Sequence, residues 1–429
     1  MKEIRLSTFT KRAAAVAAAA ALVAGLSGCS STSEPGSEGG TVDLEWGFWD
    51  QGSSNDTWKA LATQVSEEHS DIKVKLTTSP FADYFTKLQS QLAAGTTPCI
   101  VSMQSLRLPA FKDALEPLGP LLEKVGFDES EWSTGALKAL QVDGEQYAVP
   151  YGLSTMLLYY NKDAFADAGI PEPTNDWTIE EFESAAAKLT DATGKPAFGQ
   201  SFSDLHMFSL LLAENGARPV TGDAKLDLQN DDMEQSFAWY TELATEKKVA
   251  SVPASASDVP WGEQQFVAGN VSMAVDGSWN ISSDAVDAGF NVGVVALPQG
   301  PNGGGTYSAN SGFGISKTCA NKEAAAKAIA VITGEQAAEK AAAAGTSPAR
   351  LAATDTFYAG LATQVDAKTP GYSEQARAAM ESAGENATPF ISTPGWDQNT
   401  KLIAREFILA YTGSVSPSEA LERVQQSAK

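Results

Sequence analysis

Histidine is almost missing from this 429-residue chain, which has only His69 and His206, and three cysteines are too few for a disulfide-framed domain. Neither histidine has a metal-ligating or triad partner at usable spacing, so each reads as a helix-surface or core residue. No HExxH, GxSxG or CxxC motif occurs, so the chain carries no local signature of a zincin, a nucleophile-elbow hydrolase or a thioredoxin-like redox site. Two carboxylates can form a glycosidase pair from distant points of a chain, so a surface-tethered glycoside hydrolase stays open as an alternative. Positive charge is scarce as well: 30 Lys and Arg face 53 Asp and Glu, a net charge of -23. Nucleic acid, whose phosphates need neutralising by Lys and Arg, is excluded as a partner, and a polyanionic ligand is disfavoured. No internal repeat of 20 to 50 residues is visible.

What remains is an acidic chain with 43% hydrophobic, 19% charged and 9% aromatic residues. Such a chain can bury a large core, and its length suits two domains better than one. Its start reads as an address. Lys2, Arg5, Lys11 and Arg12 precede an apolar run, Ala13 to Gly25, too short to span a bilayer comfortably. Leu26-Ser27-Gly28-Cys29 follows, a lipoprotein cleavage box. Residues 1-28 are then a signal peptide, Cys29 the acylated terminus, and the Gly/Ser-rich stretch 29-40 a flexible tether on the outer side of the cell membrane. A cleaved signal without lipid is the plainer alternative.

Thr41 to Trp49 alternates Val42, Leu44, Trp46 and Phe48 on one face, as a strand does. A helix capped near Asn55, a strand Ile72 to Leu76, a helix Phe81 to Ala94 closed by Gly95 and a strand Ile100 to Met103 follow. Strand and helix alternating this way predict an α/β fold with a parallel layer. Ligands of such sheets sit beyond the carboxyl ends of the strands, which marks Trp49 and Asp50 after the first strand, and Gln104, Ser105 and Arg107 after the third.

The stretch Tyr147 to Gly169 holds two apolar β-favouring runs, Ala148 to Tyr151 and Thr155 to Tyr160, separated by Gly152 and Ser154. This pattern suits a chain crossing between lobes. Further on, Thr178 and Glu181 form a capping box, and helices are predicted over Leu205 to Asn215, Met233 to Thr245, Asn321 to Thr333, Lys401 to Tyr411 and Ser416 to Ser427. Trp261 to Asn270 reads as a helix stopped by Gly269, before a strand Val271 to Val275 and the turn Gly277-Ser278-Trp279. Thr306 to Ser316 reads as a second crossing. The loop Pro298 to Gly305 is glycine-rich but lacks the following Lys-Ser/Thr and helix of a phosphate cradle.

The order Tyr-Ala-Val-Pro-Tyr, Leu-Tyr-Tyr-Asn-Lys-Asp-Ala-Phe, Ala-Gly-Ile-Pro and Asp176-Trp177-Thr178, with the later helix, glycine stop, strand and Gly-Ser-Trp turn, resembles the extracellular solute-binding proteins of sugar ABC transporters, family 1, maltose-binding type. The resemblance runs from about Val42 to the C-terminus. It implies a two-lobe, type II periplasmic-binding-protein-like fold whose discontinuous lobes are joined by hinge crossings: 41-149 with 309-348, and 150-308 with 349-429. It implies a monomeric, lipid-anchored receptor, without cofactor, metal or catalysis, that binds a carbohydrate between the lobes and hands it to membrane permease subunits. A non-sugar solute, a polyamine or phosphodiester, is a further alternative.

Sugars need aromatic planes for their C-H faces and amide, carboxylate or Arg groups for their hydroxyl rims. Trp279 matches the family's sugar-stacking residue, the resemblance places Tyr151 and Ser154 at the cleft, and Asn310, within the second crossing, is a further candidate. Trp396 and Asp397 pair a plane with a polar group, and Trp261 begins a helix; for Trp261 and Trp396 core and ligand roles are both open, as donor and structural cation are for Arg350. Trp46, Trp132 and Trp239 fall inside periodic segments and read as core. The family usually has Asp where Cys99 stands. In its fold the strand after Cys99 lies antiparallel to Gly312 to Ser316, which implies that Cys99 approaches Cys319, as a disulfide or as two buried thiols.

Overall fold

The computed structural model describes residues 40-49, 55-258 and 261-428. The signal peptide, Cys29, the tether up to residue 39 and Asp50 lie outside them.

Three parallel strands open the fold: β1 (Val42–Trp49) lies between β2 (Ile72–Ser79) and β3 (Ile100–Gln104). The helices Asn55–Glu68 and Phe81–Ala94 link them, and the second stops at Gly95, whose φ of 69° a residue with a side chain adopts with strain. A hairpin of β4 (Gln141–Val142) and β5 (Glu145–Gln146) leads into β6 (Ala148–Gly152) at the edge of the same sheet. The chain then passes to a second sheet, built of β7 (Met156–Asn161), β8 (Phe198–Gly199), β9 (Ala250–Ser251), β10 (Met273–Gly277) and β11 (Val292–Val295) in the order β11-β7-β10-β8-β9. After β12 (Thr306–Ser308) the chain returns, and β13 (Ser311–Ile315) inserts between β3 and β6, antiparallel to both. Helices complete the fold, with β14 (Ala387–Pro389) pairing β12.

Each sheet has its own core. Trp46, Phe48, Trp58 and Phe313 centre the first, with Trp46 and Phe313 edge to face at 4.9 Å between centroids. The lack of polar alternation in β7 has a direct cause. Leu158 and Tyr160 enter a core shared with Phe182, Phe208 and Phe237, while Leu157 and Tyr159 enter another with Phe266, Phe357 and Tyr372, so both faces are covered.

The first crossing is shorter and later than the sequence suggests. Pro150 and Gly152 still pair within the first sheet, on either side of a bulge at Tyr151, and only Leu153 to Thr155 span the gap. The second, expected over Thr306 to Ser316, resolves into β12, the two residues Ala309 and Asn310, and β13. Asn310 fastens the crossings together: its Oδ1 accepts from Ser154 N at 3.1 Å, its carbonyl accepts from Ser105 N at 2.8 Å, and Ala309 N donates to Ser154 O at 3.0 Å. A third contact follows at the return turn, where Leu153 N donates to Ser347 O at 2.9 Å. The helix expected from Lys401 begins instead at Trp396, because that indole is part of the core and draws the preceding turn inward.

Cys99 and Cys319 form a disulfide closing 220 residues of chain. It sits just beyond the last β3–β13 pair, Ile100 with Ile315, as antiparallel strands require.

Candidate functional site

Between the two sheets lies a cavity of about 1280 Å³, above the roughly 300–1,000 Å³ usual for small-molecule pockets. The first sheet supplies Trp49, at the end of β1, packed on Phe48 with ring centroids 5.5 Å apart and edge-on to Phe81 at 5.7 Å. Tyr151 stacks on Phe313 at 4.5 Å. After β3, Gln104 and Arg107 face the same space; Arg107 lies over the rings of Phe85 and Phe81, 4.7 and 5.4 Å from their centroids, and donates from Nη1 to Gln104 Oε1. Its Nε also donates to Asp397 Oδ1 at 2.9 Å, and Asp397 comes from the first turn of the helix Trp396–Tyr411.

The opposite wall is built around Trp279, in the short turn Ser278–Asn280 that follows β10. Its ring is 40% exposed, large for a tryptophan, and opens onto the cavity. Gly277 fixes its attitude: a Cβ there would come within 2.3 Å of the indole, so the ring lies over a backbone that only glycine leaves bare.

Beside Trp279, four acids converge from four elements. Asp204 and His206 lie on the helix Asp204–Asn215, Glu263 on the helix Trp261–Val267, Asp276 on β10 and Asp284 on the helix Ser283–Asp287. The close approach of Gly262 to Gly199, where a Cβ on either would meet the other's backbone at 2.4 to 2.8 Å, lets the Glu263 helix lie against the sheet. His206 Nε2 is 3.1 Å from Asp276 Oδ1 and 3.3 Å from Glu263 Oε1. Asp276 also accepts from Asn280 Nδ2 at 3.0 Å and from Gly277 N at 2.6 Å.

Burial opposes the charge on His206, but Glu263, Asp276 and Asp204 outweigh it and lift its pKa to about 9. Burial likewise opposes ionisation of Asp276, but the hydrogen bond and charge of His206 hold its pKa below the ordinary value. Glu263 is pushed up to about 7 by burial, with His206 pulling the other way, and Asp284 is raised well above the carboxylate range by burial and by neighbouring Asp276. Ligand atoms of His206, Glu263 and Asp276 lie within 4.8 Å of one another, near the spacing a metal would need, but the imidazole Nε2 is already engaged by the two carboxylates.

The structure thus brings Trp49, Gln104, Arg107, Tyr151, Ser154, Trp279 and Asp397 to one cavity. Five other candidates stand away from it. Asn310 is engaged at the crossing through Oδ1 and its carbonyl, and Ser105 donates its backbone N–H there while its Oγ is buried outside the lining, without a partner among the described residues. Arg350 is buried over Trp132, 4.4 Å from its ring centre, and paired to Glu131 at 2.5 Å, outside the cavity lining. Trp396 is core, but its Nε1 donates to Asp204 Oδ2 at 2.7 Å and so orients a residue that does line the cavity. Trp261 is half-buried at its helix start, outside the lining. Sequence reasoning missed the acids and placed His206 in bland packing. The signal available was weak: its helix is buried along nine consecutive residues and shows no polar face to give the histidine away. Phe81 and Phe85 were findable as a pair spaced i, i+4 beside the Tyr84–Leu88 stripe.

Two sheets with separate cores, joined by short crossings and flanking a deep aromatic cleft, define a type II periplasmic-binding-protein fold. The Bacterial extracellular solute-binding protein family model matches residues 51–339, and the chain belongs to that family. An arabinooligosaccharide-binding protein of Bacillus subtilis is 24% identical over 236 residues, 53% of each chain. The sn-glycerol-3-phosphate-binding periplasmic protein of Brucella abortus is 27% identical over 279 residues, 60% of this chain and 62% of that one. The chain therefore spans about half to two thirds of the length of these relatives. A solved ABC substrate-binding protein from Listeria monocytogenes in complex with cycloalternan superposes with a TM-score of 0.78 at 25% identity, over 90% of this chain and 97% of that one.

Proposed function

We propose that this protein is the substrate-binding component of an ABC importer, and that it captures an oligosaccharide in the cleft between its two sheets and delivers it to the permease. One observation carries the reading: exposed and half-exposed aromatic faces, Trp279 on one wall and Phe81 beside Trp49 on the other, look onto a single cavity rimmed by amide, hydroxyl, carboxylate and guanidinium groups. That is the complement of a pyranose, with apolar faces and a hydroxyl edge. The names of the Bacillus and Listeria proteins support it. The Brucella relative raises glycerol phosphate as an alternative, but a dianion would meet the four acids beside Trp279, and Arg107 is already neutralised by Asp397. The family binds rather than transforms its solutes.

The lobes in this reading are 41-149 with 309-348, and 150-308 with 349-429, adjusted by three or so residues at the first crossing. Closure follows from the ligand touching both, since only a ligand with differential contact to the closed state can favour it. A diacylated Cys29 would hold a monomer outside the cell membrane. Thermal unfolding across a panel of oligosaccharides tests the reading: at least one should raise the midpoint and be recovered unchanged. No shift with any saccharide, or appearance of cleaved product, overturns it.

A further inference from the structure

We propose that the solute carries a basic amine, and that its ammonium group is held between the face of Trp279 and the carboxylates of Glu263 and Asp284. This rests on the carbohydrate reading above and narrows it to an amino sugar with a free nitrogen. Asp204, Glu263, Asp276 and Asp284 meet beside one cation, His206, and the charges acting on this group are those of its own members and of Asp287. The four most enclosed of them, His206, Glu263, Asp276 and Asp284, are 6%, 7%, 1% and 7% exposed, yet all line the cavity. Glu263 Oε2, Asp284 Oδ2 and His206 Nδ1 have no hydrogen-bond partner among the described residues, although Ser201 hydrogen-bonds the Glu263 carboxyl and Asp276 that of Asp284.

Burial and the neighbouring carboxylates hold Glu263 and Asp284 toward their protonated forms in the empty cavity, and a donor that also brings positive charge would pair the carboxylates as those protons leave, which a hydroxyl cannot do. An ammonium group offers three donors and a full charge. Trp279 adds a second requirement. Its indole stands 6.0 Å from His206, edge to face, lines the cavity beside the acids and is 40% exposed, which suits an organic cation on a sugar ring. A bare metal ion is the weaker occupant, since His206 is held as a cation between Asp276 and Glu263 and would first have to give up a proton to ligate, and the indole would contribute nothing to coordination. The other basic groups lining the cavity are Arg107, bound to Asp397, and Lys401, on the helix Trp396–Tyr411.

The test is isothermal titration of the full chain with matched pairs: glucosamine, galactosamine and mannosamine oligomers, each against its N-acetylated and its hydroxyl counterpart of the same length and linkage. In every set where one member binds, the free amine should bind at least about ten-fold more tightly. Glu263→Gln, nearly isosteric, should narrow that advantage to about three-fold or less, whatever it does to overall affinity. Equal or tighter binding of the neutral members overturns the amine and leaves the carbohydrate reading intact. An amine preference that survives Glu263→Gln overturns this placement of it. Silence from every sugar overturns both readings, and saturable Zn²⁺ or Ca²⁺ binding that Glu263→Gln abolishes, without an amine preference, identifies the cluster as a metal site instead.

Discussion

Arg107 and Asp397 meet across the cleft, Nε to Oδ1 at 2.9 Å, from positions 290 residues apart in the chain. One follows a strand of the first sheet and the other opens a helix packed on the second. With side chains 12% and 28% exposed, the pair is shielded enough for its loss to register, and the guanidinium stacks on Phe85 besides. Arg107→Ala should lower unfolding free energy by about 1–3 kcal/mol, measured by denaturant titration. Arg107→Lys should fall between the two, since an ammonium keeps charge but loses the planar fork. An unchanged midpoint in Arg107→Ala would show that the contact contributes nothing.

Gly277 should be as sensitive as any residue that touches the ligand. A methyl there would come within 2.3 Å of the Trp279 ring, and the exposed indole has room to swing away. Gly277→Ala should weaken saccharide affinity by about ten-fold or more with little change in the thermal midpoint. Retained affinity would mean that the orientation of Trp279 does not matter.

The disulfide ties the strand pair at the back of the first sheet, away from the cleft. Closing 220 residues, it should contribute about 2–4 kcal/mol, seen as a lower midpoint for the double Cys99→Ser, Cys319→Ser variant. Saccharide affinity should be unaltered.

The acid cluster makes the unliganded protein sensitive to alkali. His206, raised to about 9 from 6.5, gives stability that is complete below pH 6.5 and lost as pH climbs through 9. Glu263, raised to about 7 from 4.5, favours the protonated form in the fold, so its contribution is also lost as pH climbs, here through 7. Both act in the same direction, and unfolding free energy should drop by several kcal/mol, at most about 6, between pH 5 and pH 9.5. Glu263→Gln should flatten the part of the profile below pH 7. A flat wild-type profile would contradict the assigned ionisation.

Much of this fold could be read from the chain because its signals are local. The capping box at Thr178, the glycine stop at Gly95 and the alternation of β1 each depend on neighbours a few residues away. Trp279 was legible for the same reason, sitting in a turn beside Gly277. The acids were not. Asp204, Glu263, Asp276 and Asp284 are individually ordinary, and only the packing of four elements around β10 makes them one feature. Trp396 and Arg350 show the converse: polar-flanked residues in helix starts and turns look like ligand contacts until Asp204 and Glu131 are found to occupy them.

The most direct measurement is isothermal titration of the wild-type chain and of Trp279→Ala with the saccharide giving the largest thermal shift. The wild type should bind one-to-one, and a Trp279→Ala protein that unfolds at the same temperature without ligand should lose measurable affinity. Undiminished affinity in that variant would contradict it.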